Sequence, residues 1–151
     1  MISLFSPTAS DELLGTLAEF RFELRRFLHF SECAAVDAGL HPQQHQLLLQ
    51  VAGASEGTAV TIAYAAQRLG LRHNSTVELV NRSEREGLLA RTPDLDDRRR
   101  AILRVTRKGR QVLERLSTEH ALELNERGPR LTKALQQIGR YAKGAATTVT
   151  Q

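Results

Sequence analysis

Residues 57–110 switch periodicity twice, and that switch constrains the fold more than any other feature of the chain. In TAVTIAYAAQRLGL, Val60, Ala63 and the pair Ala66 and Leu69 fall on one helical face, and Gly70 closes the helix. RHNSTVELVNRSEREGLL follows as a second helix, with Leu79, Val80 and Leu88 inward and Arg82, Glu84, Arg85 and Glu86 outward. Beyond Gly87 the period drops to two. LLART and AILRVT alternate like strands on either side of PDLDDRRR, an Asp-rich turn that begins at Pro93. Two short helices joined by a tight glycine turn form a helix-turn-helix, and the added hairpin makes it a winged helix.

The flanks read as helices. Over residues 11–36, Leu13, Leu17, Phe20, Leu24, Phe27, Ser31 and Ala34 recur at alternating steps of four and three, a 3.5-residue seam. Leu14, Phe22, Leu28 and Phe30 widen it, so more than one flank must be covered, which points to a second chain. Gly39 and Pro42 separate this helix from a core helix that runs to about Ala54. Thr106 can cap a further helix carrying Val112, Leu113, Leu116, His120 and Leu124 inward. Gly128 and Pro129 are expected to break it, with a last helix fraying after about Gly144. The expected fold is mainly α with a small β-hairpin wing. Within a single-domain chain, a winged helix-turn-helix (55–105) is flanked by dimerisation helices (11–54 and 106–144).

The charge is unevenly spread. Residues 1–56 carry a net −4, residues 57–151 a net +8, and residues 68–110 alone a net +6. Eighteen of the 21 basic residues are Arg, which forks onto phosphates and guanine edges. A polyanion is therefore the expected partner of the middle of the chain. The single cysteine, Cys33, excludes an internal disulfide framework and fits a reducing compartment. Asp11 and Glu12 stand where a signal peptide needs basic and apolar residues, and no run of about 18 apolar residues exists. The expectation is a cytoplasmic protein that does not engage a membrane.

The first turn of a recognition helix meets base edges while its N–H groups face phosphate. Here that turn begins near His73. Asn74 can read adenine bidentately, Ser75 and Thr76 can bond base or phosphate, and Arg82 can reach phosphate or guanine. Arg72, His73 and Glu78 complete this set. Arg98, Arg99 and Arg100 at the hairpin tip join it, with Arg98 and Arg100 on one face of an extended strand and Arg99 on the other. The bland alternative for the tip is a self-neutralised loop, since Asp94, Asp96 and Asp97 stand beside the three arginines.

LLARTPDLDDRRRAILRVTRKGRQVL resembles the wing signature of the MarR family of bacterial transcriptional regulators. That signature is Asp-x-Arg, a short strand ending in Leu-Thr, two residues and Gly. Asp97, Arg98, Arg99, Val105, Thr106 and Gly109 occupy those places, with Val105 replacing the usual Leu. LGLRHNSTVELVNRSEREGLL is similar to the family's turn and recognition helix, and the order of elements matches over about residues 11–142. Thr76 and Ser83 stand where the family usually has apolar core residues, and Arg72 where it often has a small polar cap or an acid. The resemblance implies a homodimer on a pseudopalindromic double-stranded DNA site, acting as a repressor and released by a small aromatic effector. It also implies that Arg99 enters the minor groove and that Asp97 braces the hairpin.

A ligand pocket of that kind is expected between the first two helices and the winged core, lined by Phe27, His29, Phe30 and Leu47. Enzyme readings find no support. The five His form no H-E-x-x-H pattern and there is no Gly-rich phosphate loop, so neither catalysis nor a cofactor is expected. His41 and His45 are four apart near Cys33 and Asp37, which keeps a zinc-responsive sensor as one alternative. Another is a winged-helix protein–protein module that binds no DNA. Cys33 is expected to be an inert buried thiol.

Overall fold

The computed structural model describes residues 8–149. The elements run α1 (Ala9–Asp37), α2 (Pro42–Ala52), α3 (Ile62–Leu69), α4 (His73–Arg85), β1 (Leu89–Pro93), β2 (Ala101–Val105) and α5 (Arg107–Val149). They form a mainly helical protein with one antiparallel hairpin, as expected. The chain groups into two compact units: residues up to Phe30 with those from His120 onward, and Ser31–Glu119.

Ser31–Glu119 is the winged helix. His41 starts α2 with a reciprocal cap: its Nδ1 accepts the Gln43 N–H at 3.2 Å, while Gln44 Oε1 accepts the His41 N–H at 3.0 Å. Thr61 caps α3 by accepting the Tyr64 N–H at 3.2 Å. Gly70 ends α3 in the left-handed region at φ 64°, which lets the Leu71 N–H return to the Ala66 carbonyl at 3.0 Å. That glycine sets the turn between the two helices. Leu47, Leu48, Ala65, Val80, Leu103 and Leu116 make the dry centre of this unit.

The hairpin pairs Leu89 with Val105 and Pro93 with Ala101. β2 gains one more bond on its other edge, because the Leu103 N–H donates to the Val60 carbonyl at 2.8 Å. Val60 is thus a buried, strand-like residue ahead of α3 rather than part of that helix, a correction to the periodicity reading. Its β-branched side chain satisfied both patterns, and the backbone bond to β2 decides between them. Thr106 closes the unit. Its hydroxyl donates to the Gly87 carbonyl at 2.6 Å and accepts the Gly109 N–H at 3.1 Å, capping α5 while tying it to the end of α4.

The other unit holds the first part of α1 and the later part of α5. Thr8 and Asp11 form the first turn of α1, with the Asp11 N–H donating to Thr8 Oγ1 and the Thr8 N–H to Asp11 Oδ2. The apolar seam divides into two faces. Leu13, Phe20 and Phe27 are partly covered, whereas Leu14, Leu17, Leu24 and Leu28 form an exposed stripe. Phe27 and Phe30 meet His120 edge-on, with ring centroids 5.9 and 5.4 Å away.

α5 continues through Gly128 and Pro129 to Val149, so neither the expected break nor fraying after Gly144 occurs. Pro129 lacks an N–H and crowds the preceding turn. Side chains on both sides of it hold the helix. Arg127 and Arg130 both pair with Glu23 of α1, at 3.5 and 3.1 Å, and Arg127 also pairs with Glu123. Glu23 is fully buried among these cations. The Arg130 hydrogen bond, aided by the charges of Arg130 and Arg26 and by an Arg127 hydrogen bond, holds its carboxyl below the usual range against the opposing effect of burial. No helix among the described residues is long and apolar enough to cross a membrane.

Candidate nucleic-acid interface

α4 has two chemically different sides. His73, Asn74, Ser75, Glu78 and Arg82 are exposed, and Arg72 caps the helix through an extended backbone without a side-chain bond. The N–H groups of the first turn therefore have no side-chain cap, the condition under which a helix start accepts an anion. Thr76 belongs to the opposite side. It is fully buried and its hydroxyl donates to the Arg72 carbonyl at 3.0 Å, which removes it from the expected contact set. Ser83 does the same with the Leu79 carbonyl at 2.9 Å. These two hydroxyls fill core positions without an orphaned polar atom, because each bonds one turn back along its own helix.

Arg91 of β1, which the sequence reading passed over, fixes the hairpin to α4. Its guanidinium donates to Asn81 Oδ1 at 2.7 Å and to Glu84 Oε2 at 3.0 Å. A second tie comes from α2, where Gln44 Nε2 donates to Glu86 Oε2 at 2.8 Å. Lys108 Nζ adds a bond to the Glu86 carbonyl at 2.8 Å. The helix that offers polar side chains to a ligand is thus held from three directions.

The three wing arginines are not equivalent. They lie in the loop between the strands, so strand alternation does not assign their faces. Arg100 is tied down, with Nη2 2.7 Å from Asp94 Oδ2 and Nε 3.9 Å from Asp97 Oδ2. Arg98 and Arg99 are exposed, and among the described residues their side chains have no ion-pair partner. Asp97 accepts the Arg99 N–H at 3.0 Å. The deeper brace is Asp94, 7% exposed, which accepts the Asp96 N–H at 2.9 Å while its own N–H donates to the Arg100 carbonyl at 3.2 Å. The Asp96 bond first, then the Arg100 charge, hold the Asp94 carboxyl below the ordinary range. An Asp next to Pro at a turn was the available signal for this role, but three neighbouring aspartates obscured it.

The other candidates separate. Phe27 and Phe30 pack on His120, His29 is exposed, and Leu47 lies in the winged-helix core with no exposed surface to line a cavity. His41 Nδ1 is engaged as a helix cap and His45 is buried. Among the described residues, no three His, Cys, Asp or Glu converge as metal ligands. Cys33 is exposed, contrary to the buried thiol expected, because it lies off the Ser31 and Ala34 face of α1.

Residues 38–100 match the sequence profile of the MarR family. The chain is 30% identical over 110 residues to the transcriptional activatory protein BadR of Rhodopseudomonas palustris, an alignment covering 72% of this chain and 63% of BadR. It therefore spans less than two thirds of that curated relative. CouR from Rhodococcus jostii RHA1, solved bound to p-coumaroyl-CoA, is 26% identical over 80% of this chain and 81% of its own, with a TM-score of 0.62. The MepR–DNA complex of S. aureus shares the fold at 18% identity and a TM-score of 0.63, covering 85% of this chain and 94% of that one. With the helix-turn-helix, the wing residues and the Thr106 and Gly109 closure in place, residues 38–100 of this chain are those of a MarR-family winged helix.

Proposed function

We propose that this protein is a transcriptional regulator that binds duplex DNA as a homodimer, through α4 and the wing, in the cytoplasm. One observation carries the reading. The uncapped start of α4 and the exposed Asn74 and Ser75 belong to the same compact unit as the unpaired Arg98 and Arg99. His73, Glu78, Arg72 and Arg82 extend the α4 contact surface, and Arg100 supports the wing rather than touching DNA. The MepR–DNA complex shares the fold, which supports this use of it. Repression follows when the occupied site overlaps a promoter. Titrating a fluorescent operator duplex at several salt concentrations tests the binding, with log affinity expected to fall steeply and linearly with log salt. Weak, salt-independent association would reject it.

The exposed stripe Leu14, Leu17, Leu24 and Leu28 supports dimerisation, since leucines in a row at helical spacing gain by covering one another. A two-fold dimer presents its recognition helices roughly 34–36 Å apart, one DNA turn. A monomeric mass at micromolar concentration would end this part of the reading. For an effector we infer a small aromatic acid or its thioester, on the strength of CouR with bound p-coumaroyl-CoA. Such a ligand should raise the melting temperature and weaken DNA binding by the same coupling factor in both directions.

A further inference from the structure

We propose that Leu95 is an apolar contact of the wing, seated in the DNA minor groove beside Arg99. The inference rests on the DNA-binding reading above. A single exposed leucine is ordinary on a protein surface, but this one has an unusual position. Leu95 is 98% exposed, more than any other large apolar residue described, and it stands at the tip of the hairpin loop. The loop holds it there. Asp94 on one side is buried and bonded to the Asp96 N–H on the other, and the Asp94 N–H is bonded to the Arg100 carbonyl. The leucine side chain therefore covers nothing in its own protein and adds no hydrophobic stabilisation to the fold.

The charge of the tip sharpens the point. Three aspartates face three arginines over residues 94–100, and Arg100 is neutralised by Asp94 and Asp97. Asp96 partly offsets the Coulomb attraction from Arg98 and Arg99, so an apolar contact at the tip adds affinity that charge alone does not supply. The minor groove admits apolar side chains, leucine among them, which minor-groove proteins frequently insert between base steps. An inserted leucine gains by losing water and adds no counterion release. Its contribution is therefore independent of salt, unlike that of its neighbour Arg99.

The test titrates one fluorescent operator duplex across a salt series with the full chain and its Leu95→Ala, Leu95→Ile and Arg99→Ala variants. Leu95→Ala should bind about five-fold more weakly at every salt concentration, the scale of partly burying a few methylene-sized groups. Its line of log affinity against log salt should run parallel to that of the parent. Leu95→Ile should stay within about two-fold of the parent, because it keeps the apolar volume. Arg99→Ala should flatten the slope by about one ion. Leu95→Ala coinciding with the parent, or changing the slope as Arg99→Ala does, would overturn the inference while leaving the DNA reading intact. A parent that shows no salt-dependent duplex binding would overturn the DNA reading and this inference with it.

Discussion

A Cβ on Gly109 would stand 2.3 Å from the carbonyl oxygen of Leu88 and 2.8 Å from a Val105 methyl. The first turn of α5 can lie against the end of α4 and the end of the hairpin only because this position has no side chain. Gly109→Ala must push backbone apart at a place where Thr106 also bonds Gly87. The expected cost is about 1–3 kcal/mol, the usual range for overpacking. Urea denaturation of the purified protein checks it, and an unchanged midpoint would show that the junction is looser than its geometry.

Arg91 should act on DNA without touching it. Arg91→Ala removes the bonds to Asn81 and Glu84 that join β1 to α4. The helix and the wing then lose their fixed relation, so affinity for the preferred duplex should fall about ten-fold, equivalent to about 1.4 kcal/mol. The salt slope should stay unchanged, because no phosphate contact is lost. Arg91→Lys cannot make both bonds from one fork and should rescue little. Full rescue by Lys would mean that only the charge matters.

The same residues show what could be read before the structure. Gly70, Thr106 and the hairpin were legible because each depends on local chemistry: a left-handed turn, a helix cap, a period of two. Pro129 was misread because local chemistry there loses to a distant partner. Glu23, which bonds Arg130 from 107 residues away, leaves no mark on the periodicity. The Leu13-to-Ala34 seam was legible as a helix, and its covering was not, for a related reason. A 3.5-residue repeat locates apolar positions on a helix but not which neighbour covers each one. Thr76 looked like a base contact because its residue type permits it, and its angular position on α4 decided otherwise.

The two arms of the interface should separate by mutation. Arg99→Ala should weaken binding to specific and random duplexes by similar factors, since a minor-groove arginine reads little beyond A·T against G·C. Asn74→Ala should cost about 1–3 kcal/mol on the preferred site and little on random DNA, because a base-edge contact is lost. Parallel titrations of the two variants on both duplexes check this. Equal losses from Asn74→Ala on both duplexes would remove Asn74 from base recognition.

Acid should expose the two buried carboxylates. Asp94 and Glu23 each have a folded pKa below the ordinary carboxylate range, Asp94 through the Asp96 N–H and Arg100, Glu23 through Arg130 and Arg127. A carboxyl depressed by folding contributes its full stability above the unfolded pKa, about 4. That contribution is lost as pH falls through the lower, folded value. Asp94→Asn and Glu23→Gln should therefore melt below the parent protein at pH 7. The difference should persist down to about pH 5 and shrink as the pH is taken below about 4. Asp97→Asn, whose carboxylate is half exposed, should show a smaller gap at pH 7 than Asp94→Asn. Thermal melts of the four proteins between pH 3 and pH 7 measure this directly. A gap for Asp94→Asn that stayed constant as the pH fell would mean that the aspartate holds the wing by shape alone, with no contribution from its charge.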